Sequence, residues 1–420
     1  MRRTIRICLL TTTLVATLLA TPATAVPTCV FDPATATISV AVGNGETATI
    51  GRSGDAITLN ATPCDVAATV STTDTVAVTA TGTPTEVGID LSGGPFAPGV
   101  TPETDGGTSE IEFQVNLPSG TPIVRITGST GDDHVVVGSA GINLNATEAV
   151  ADVDVTIVGT PAIFLQGGDG ADVLSVVGGT AEGSPVAGVS LRGDAGDDLL
   201  FAGLGPSSLE GGDGTDTLDY SAVTQVGRAD LGAGATLHVD GSIDTLATIE
   251  NLTGSPGDDT IIGDAGDNVL RGEGGNDTID GGEGNDQLLG GDGVDTAEFR
   301  EASSGVAVDL RAGTATGAGD DELAGFENVT GSDRADTIFG DGGDNLLRGL
   351  YGSDDVYGRA GNDVVRGGKG RDRLFGGRGD DLLQGGHNRD QLNGGEGDDV
   401  CRGAPGPDSF VFCENYPTRG

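Results

Sequence analysis

The chain has 420 residues, with 75 glycines, no tryptophan, and 64 acidic side chains against 21 basic ones, for a formal net charge of −43. So few bulky residues exclude a conventional globular core of this size, and glycine without a three-residue period excludes collagen. The charge excludes binding to nucleic-acid phosphates and leaves two options: a solvated, disordered chain, or carboxylates that wait for cations.

Residues 1–25 read as a secretion signal. Arg2, Arg3 and Arg6 form a basic start, a mostly apolar run follows, and Ala23-Thr24-Ala25 is a cleavage site of small residues. Arg2-Arg3 also suits a twin-arginine route, with ordinary export preferred. No later segment is long and apolar enough to span a bilayer. Without Cys8, four cysteines remain: Cys29, Cys64, Cys401 and Cys413. An even number in an exported chain predicts two bridges; three connectivities are open, and proximity favours Cys29–Cys64 and Cys401–Cys413.

Residues 26–127 predict an irregular β-rich region. Short β-branched runs alternate with period two, as in Ile38-Ser39-Val40-Ala41-Val42 and Ile111-Glu112-Phe113-Gln114-Val115. A sandwich and a solenoid both fit; the solenoid is preferred because the strands lead without a linker into repeats. Residues 128–253 hold scattered nine-residue copies, beginning at Gly128, Gly167, Gly193 and Gly211, and a first interlude. A first regular array covers 254–298, a second interlude 299–330, a second array with its cap 331–413, and a tail 414–420. The interlude and its array form a unit used twice: Glu250-Asn251-Leu252-Thr253-Gly254-Ser255 returns 77 residues later as Glu327-Asn328-Val329-Thr330-Gly331-Ser332.

The repeat is G-G-x-G-x-D-x-U-x, with U a large apolar residue. Gly376-Gly377-Arg378-Gly379-Asp380-Asp381-Leu382-Leu383-Gln384 is one copy. Glycine at the first, second and fourth positions permits a tight turn with exposed carbonyl oxygens. The eighth position, such as Leu374 or Leu383, lies in a short strand. Turn plus strand is half a coil, so each repeat stacks on the next but one. Two Asp edges result in each array. In the first, Asp259, Asp277 and Asp295 face Asn268 and Asp286. In the second, Asp336, Asp354, Asp372, Asp390 and Asp408 face Asn345, Asp363, Asp381 and Asp399. Coils stack about 4.8 Å apart, so these carboxylates repel unless a cation lies between them. Oxygen-only ligands in a flexible turn select Ca²⁺ over Mg²⁺, with several ions per chain. Glycine-rich coils with one apolar residue per repeat recover little of their ordering entropy, so calcium binding is expected to supply folding free energy.

These blocks resemble the RTX, or hemolysin-type, calcium-binding repeat family, chiefly over 254–298 and 331–411. The resemblance implies an all-β fold: a right-handed β-solenoid ending in a parallel β-roll, with Ca²⁺ held between turns by the sixth-position Asp and turn carbonyls. It carries over to the Asp residues named above, more weakly to Asn268 and Asn345, and less well where Arg334 and Asn388 replace the fourth glycine. The ending Cys401 to Glu414 resembles the close of secreted proteins of this type.

No H-E-x-x-H or G-x-S-x-G motif is present, and His134, His238 and His387 are far apart in sequence. The expectation is a secreted calcium-binding protein with a structural or adhesive role and no catalytic residues. The alternative is an extracellular carbohydrate-active solenoid enzyme of lyase or epimerase type. Ten of the 21 basic residues fall in the second array. They read as charge balance or, alternatively, as a docking face for an anionic glycan or cell-surface partner. The tail carries no sorting motif, which favours release over surface retention.

Overall fold

The computed structural model describes residues 26–65, 67–71, 73, 75–94, 111–117, 122–139, 141–144, 154–159, 161–177, 188–203, 205–403 and 407–414. Residues 1–25, expected from the sequence to be a secretion signal, and most of the tail lie outside the described residues. Every described element is a strand, and no described helix is long and apolar enough to cross a membrane. The strands form two long sheets, one of 21 and one of 19 strands. Each sheet is an open ladder from one end of the molecule to the other, so the architecture is a β-solenoid. The N-terminal region is its first part rather than a separate sandwich: Thr37–Val42, Thr75–Ala80 and Glu112–Asn116 stack in parallel in one sheet, and Thr47–Ser53, Glu86–Asp90 and Ile123–Thr127 in the other.

Coil size divides the chain. In the N-terminal part Thr37 lies beside Thr75, and Thr47 beside Glu86, so each coil consumes close to forty residues. The excess is loop, while each strand turns two or three residues inward: Ile38, Val40 and Val42, then Val76 and Val78, then Phe113 and Val115, all buried. In the arrays Arg373 pairs with Gln391 and Leu382 with Val400, so stacked residues are 18 apart and two nine-residue repeats close one coil. Here the inward residues of a strand such as Arg373–Arg378 are one leucine and one glycine, Leu374 and Gly376. Each apolar side chain so buried contributes roughly 1.5–3 kcal/mol. The array coil therefore receives less than half the apolar stabilisation of an N-terminal coil.

The interludes are fold-backs. Arg228–Asp230, Ala235–Leu237 and Ile243–Ala247 form an antiparallel meander inserted between Ser208–Asp213 and Thr260–Ile262. Ala307–Asp309, Thr314–Thr316 and Asp320–Ala324 do the same between Gln287–Asp292 and Thr337–Phe339. The two meanders lie in opposite sheets although they are duplicates in sequence, because the duplicated unit contains an odd number of half-coils. A third meander, His134–Gly138, Gly141–Asn143 and Val155–Val158, separates the wide coils from the first repeats.

Both ends are closed covalently. Cys29–Cys64 ties a strand at the first edge of one sheet to the segment after the edge strand Thr62–Pro63 of the other, with Cα atoms 5.4 Å apart. Cys401–Cys413 does the same at the far end, with Cα atoms 5.8 Å apart. Sheet edges left open invite pairing with other chains, and the bridges pin short capping strands over them.

Candidate metal centre

The sixth-position carboxylates stack in columns at the turns. At Asp277, the backbone N–H donates to Oδ1 of Asp295 (2.8 Å), and its own Oδ1 accepts the N–H of Asp259 (2.7 Å). The other oxygen, Oδ2, is buried and has no hydrogen-bond partner. The same arrangement recurs at Asp286 and Asp295 in the first array and at Asp354, Asp363, Asp372, Asp381, Asp390 and Asp399 in the second. Asp408 ends its edge: its Oδ1 accepts the N–H of Asp390 (3.1 Å) and its side chain is half-buried.

A buried carboxylate oxygen without a donor costs several kcal/mol, so a whole column of them requires a partner. What surrounds them is more oxygen. A side chain at Gly272 would run into Oδ2 of Asp277 and the carbonyl oxygen of Gly290, one coil on. At Gly376 the same place is bordered by Oδ2 of Asp381 and the carbonyl of Gly394. The first glycine of each repeat is thus a spatial requirement: a methyl group there would occupy the ground where carboxylate and carbonyl oxygens converge. Among the described residues no three carboxylate, histidine or cysteine side chains come together. Stacking supplies one Asp per half-coil, so a cation in this column must take most of its ligands from backbone oxygen. That donor set fits a hard ion tolerant of irregular coordination, which is Ca²⁺.

Electrostatics agree. Burial, with neighbouring carboxylates adding to it, pushes Asp277, Asp286 and Asp363 up to about 7 and Asp354 to about 8. Asp372 and Asp381 rise to about 6 for the same reason, and Asp295, Asp390 and Asp399 are also raised. The backbone N–H on each Oδ1 opposes the shift without cancelling it. Without a cation, burial thus opposes ionisation along the columns, most strongly at Asp354.

The beginning of each array is different. Asp259 has its Oδ2 taken by the N–H and hydroxyl of Ser255 (2.6 and 2.8 Å), and at Asp336 the Ser332 N–H donates to Oδ2 and its hydroxyl to Oδ1 (both 2.7 Å). Asn268 donates Nδ2–H to the carbonyl of Glu250 (2.7 Å), and Asn345 to that of Glu327 (2.9 Å). The Oδ1 atoms of Asn268 and Asn345 accept the N–H groups of Asp264 and Asp341, and the Asn268 N–H donates to Oδ1 of Asp286. The opening coil of each array is therefore satisfied by protein alone. The Asn substitutions shared by both arrays have a structural cause: a donor is needed where the column meets the carbonyl at the exit of the interlude.

Three carboxylates belonging to these columns stand outside the arrays. Asp172, Asp198 and Asp216 are buried, each with an unpartnered Oδ2, and they continue the ladder of 18 to 39 residues per step. They are the sixth positions of the scattered copies at Gly167, Gly193 and Gly211, so the signal was present in the repeat phase. Glutamates enter the columns as well. Glu250, Glu327 and Glu414 accept the N–H of Asp216, Asp295 and Asp399 where the regular spacing breaks. Of the two fourth-position glycine replacements, Asn388 has φ 84°, which Asn reaches more readily than most residues, whereas Arg334 does not take a positive φ.

The histidines do not gather. His387 is exposed, whereas His238 is buried in the first interlude, its Nε2 2.7 Å from Oδ2 of Asp244, which also accepts the Tyr220 hydroxyl (2.8 Å). No periodicity marks this cluster, which joins residues of three separate segments.

Comparison with known families matches the chain to the RTX calcium-binding nonapeptide repeat at residues 192–222, 245–279, 263–297, 330–365 and 366–401. No curated protein matches the chain. Between residues 192 and 401 the chain therefore carries RTX calcium-binding nonapeptide repeats, and calcium is the ion that repeats of this kind bind.

Proposed function

We propose that this is an exported calcium-binding protein whose repeat arrays fold on binding several Ca²⁺ ions, and whose role is structural or adhesive rather than catalytic. One observation carries the reading: the columns of buried, unpartnered Oδ2 atoms bordered by backbone carbonyls. Asp277, Asp286, Asp295, Asp354, Asp363, Asp372, Asp381, Asp390 and Asp399 would hold the ions through Oδ2, with turn carbonyls completing each shell. Asp408 would serve the last position of its edge, and Asp172, Asp198 and Asp216 would add sites ahead of the arrays. Asp259, Asp336, Asn268 and Asn345 would instead form the ion-free opening coils, orienting the turns on which the first ions sit.

Bound calcium supplies positive charge between coils that otherwise repel. The protein contributes the ladder of N–H to Oδ1 bonds, which fixes each carboxylate so that its second oxygen faces the turn. The secretion signal supports export to a compartment where calcium is abundant, and sites of this open kind are suited to extracellular calcium levels.

The test is a calcium titration of the metal-free protein, followed by circular dichroism and calorimetry together. Cooperative gain of strand signal with several ions bound per chain is expected. Full strand signal in excess chelator at pH 7.5 would sink the proposal.

A further inference from the structure

The outer face of the 19-stranded sheet carries a charge pattern that the calcium columns do not use. One outward column runs rung by rung through the ninth position of successive repeats. Its first half is acidic: Asp230, Ile262, Asp280 and Glu298. Thr330, itself buried at the surface of this sheet, is the centre. Its second half is basic: Arg348, Arg366, Gln384 and Arg402. Counted outward from Thr330, each acid lies as far on one side as an arginine on the other. Glu298 mirrors Arg348, Asp280 mirrors Arg366, and Asp230 mirrors Arg402, while the two uncharged residues mirror each other.

The neighbouring outward columns follow the rule in part, since Glu301 falls opposite Tyr351 and Arg228 opposite Val400. Three residues further along the chain, Glu283 mirrors Lys369. On the other side, Thr296, Thr278 and Thr260 mirror Leu346, Val364 and Leu382, so threonine methyl groups stand opposite aliphatic side chains. Like charges stacked on adjacent strands are destabilising, and Arg348 beside Arg366 is such a pair. Burial and Arg366 lower the affinity of Arg348 for its proton. The opposite sheet handles its cations differently: there Arg373 is paired with Asp355, and Arg378 with Glu396.

We propose that this face pairs with the same face of a second copy. The two solenoids would run antiparallel about a two-fold axis through Thr330, parallel to the strands. Such an axis keeps each column opposite itself and reverses the rung order, which is the operation that relates the mirrored charges. Every acid of the column then faces a cation, and no like charges face each other. Moving the axis by half a rung sets Arg348 against Thr330 and Arg402 against Ile262, and leaves only Arg366–Glu298 matched. Nine rungs about 4.8 Å apart, on strands of three to six residues, give on the order of 400–800 Å² per copy, up to the size of a standard specific interface. Glu298 and Asp230 already have exposed intrachain partners in Arg300 and Arg228, so the central Asp280–Arg366 contact is the most informative to change.

The inference rests on folded arrays, so the measurement is sedimentation of the full chain in calcium, with circular dichroism on each sample to separate loss of fold from loss of pairing. The wild type is expected to sediment at twice the chain mass. Arg366→Glu and Asp280→Arg should each raise the dimer dissociation constant by at least about tenfold, because each places like charges opposite each other twice per dimer. The double variant Asp280→Arg with Arg366→Glu should restore the dimer. A folded wild type that stays monomeric at 100 μM overturns the proposal. So does a dimer indifferent to Arg366→Glu, or a folded double variant that stays monomeric. A folded monomer that binds dextran sulfate through Arg366 would assign the face to an anionic glycan instead, and would equally overturn it.

Discussion

The N-terminal coils and the coils of the second array have the same two-sheet cross-section but are held together by different means. Around Val78 or Ile89 the interior is hydrocarbon: consecutive strands each turn at least two β-branched or aliphatic residues inward. Around Leu374 or Leu383 every second inward position is glycine, and the space beside it holds carboxylate and carbonyl oxygens. The first interior is packed by apolar side chains. The second places like charges in low dielectric and leaves one oxygen per Asp unanswered. Between 26 and 144 no carboxylate among the described residues has a buried, unpartnered oxygen, whereas nine do so between 277 and 399. On the proposed reading, the choice of inward residues alone would make one architecture independent of an ion in one region and dependent on it in another.

Removing calcium should break the comparison open most widely. At pH 7.5 in chelator, amide exchange is expected to lose protection throughout 254–414 while the strands Thr75–Ala80 and Glu86–Asp90 keep theirs. Equal protection in both regions would show that the arrays do not need the ion.

Two substitutions set one interior against the other. Ile89→Ala should cost about 2–5 kcal/mol with or without calcium, through cavity formation. Asp372→Ala removes both the acceptor for the Asp354 N–H and an orphan oxygen. It should raise the calcium midpoint of array folding severalfold and leave the melting of the N-terminal region unchanged. A calcium-independent Asp372→Ala phenotype would mean that the column is structural only.

Acid should replace calcium in part. The column carboxylates have folded values raised from 3.8 to about 6 to 8 by burial. A raised carboxyl stabilises the fold below its unfolded value and loses that contribution as pH climbs through the folded one. Metal-free arrays are therefore most ordered below about pH 4 and lose strand signal between pH 4 and 8. Calcium affinity should change in the opposite sense. Circular dichroism in chelator across that range is the check, and no gain of strand signal on acidification would contradict it.

Smaller effects are expected where protein groups already satisfy the column. Asn345→Asp would set a carboxylate against the Glu327 carbonyl and should cost about 1–3 kcal/mol by urea denaturation in calcium. Tyr220→Phe removes a hydrogen bond to the buried Asp244 and should cost about 1–2 kcal/mol. The second interlude supplies its control: Phe299 stands where Tyr220 does in the first, and Asp321 there accepts the N–H of Asp286.

The repeat phase made most of the arrays legible. An 18-residue coil, Asp columns on two edges and one inward apolar residue, most often leucine, isoleucine or valine, in each strand all follow from a nine-residue period with glycine at fixed positions. The N-terminal region was legible as strands but not as an architecture, since period-two runs occur in sandwiches and solenoids alike. The cause lies in its loops, which lengthen each coil to nearly forty residues and hide the stacking from any short period.

By itself the sequence determined the composition of each half-coil and the chemistry of its ion, because both depend on residues within one repeat or 18 apart. The tertiary structure decided which carboxylates are left unpartnered. Ser255, Ser332, Asn268 and Asn345 look like small departures from the repeat, yet their hydrogen bonds close the opening coils without an ion. It also decided that the duplicated interludes lie on opposite sheets, and that acids of one array share an outward column with arginines of the other. Such facts depend on counting half-coils around a solenoid, and stacking joins residues that sequence separation keeps apart.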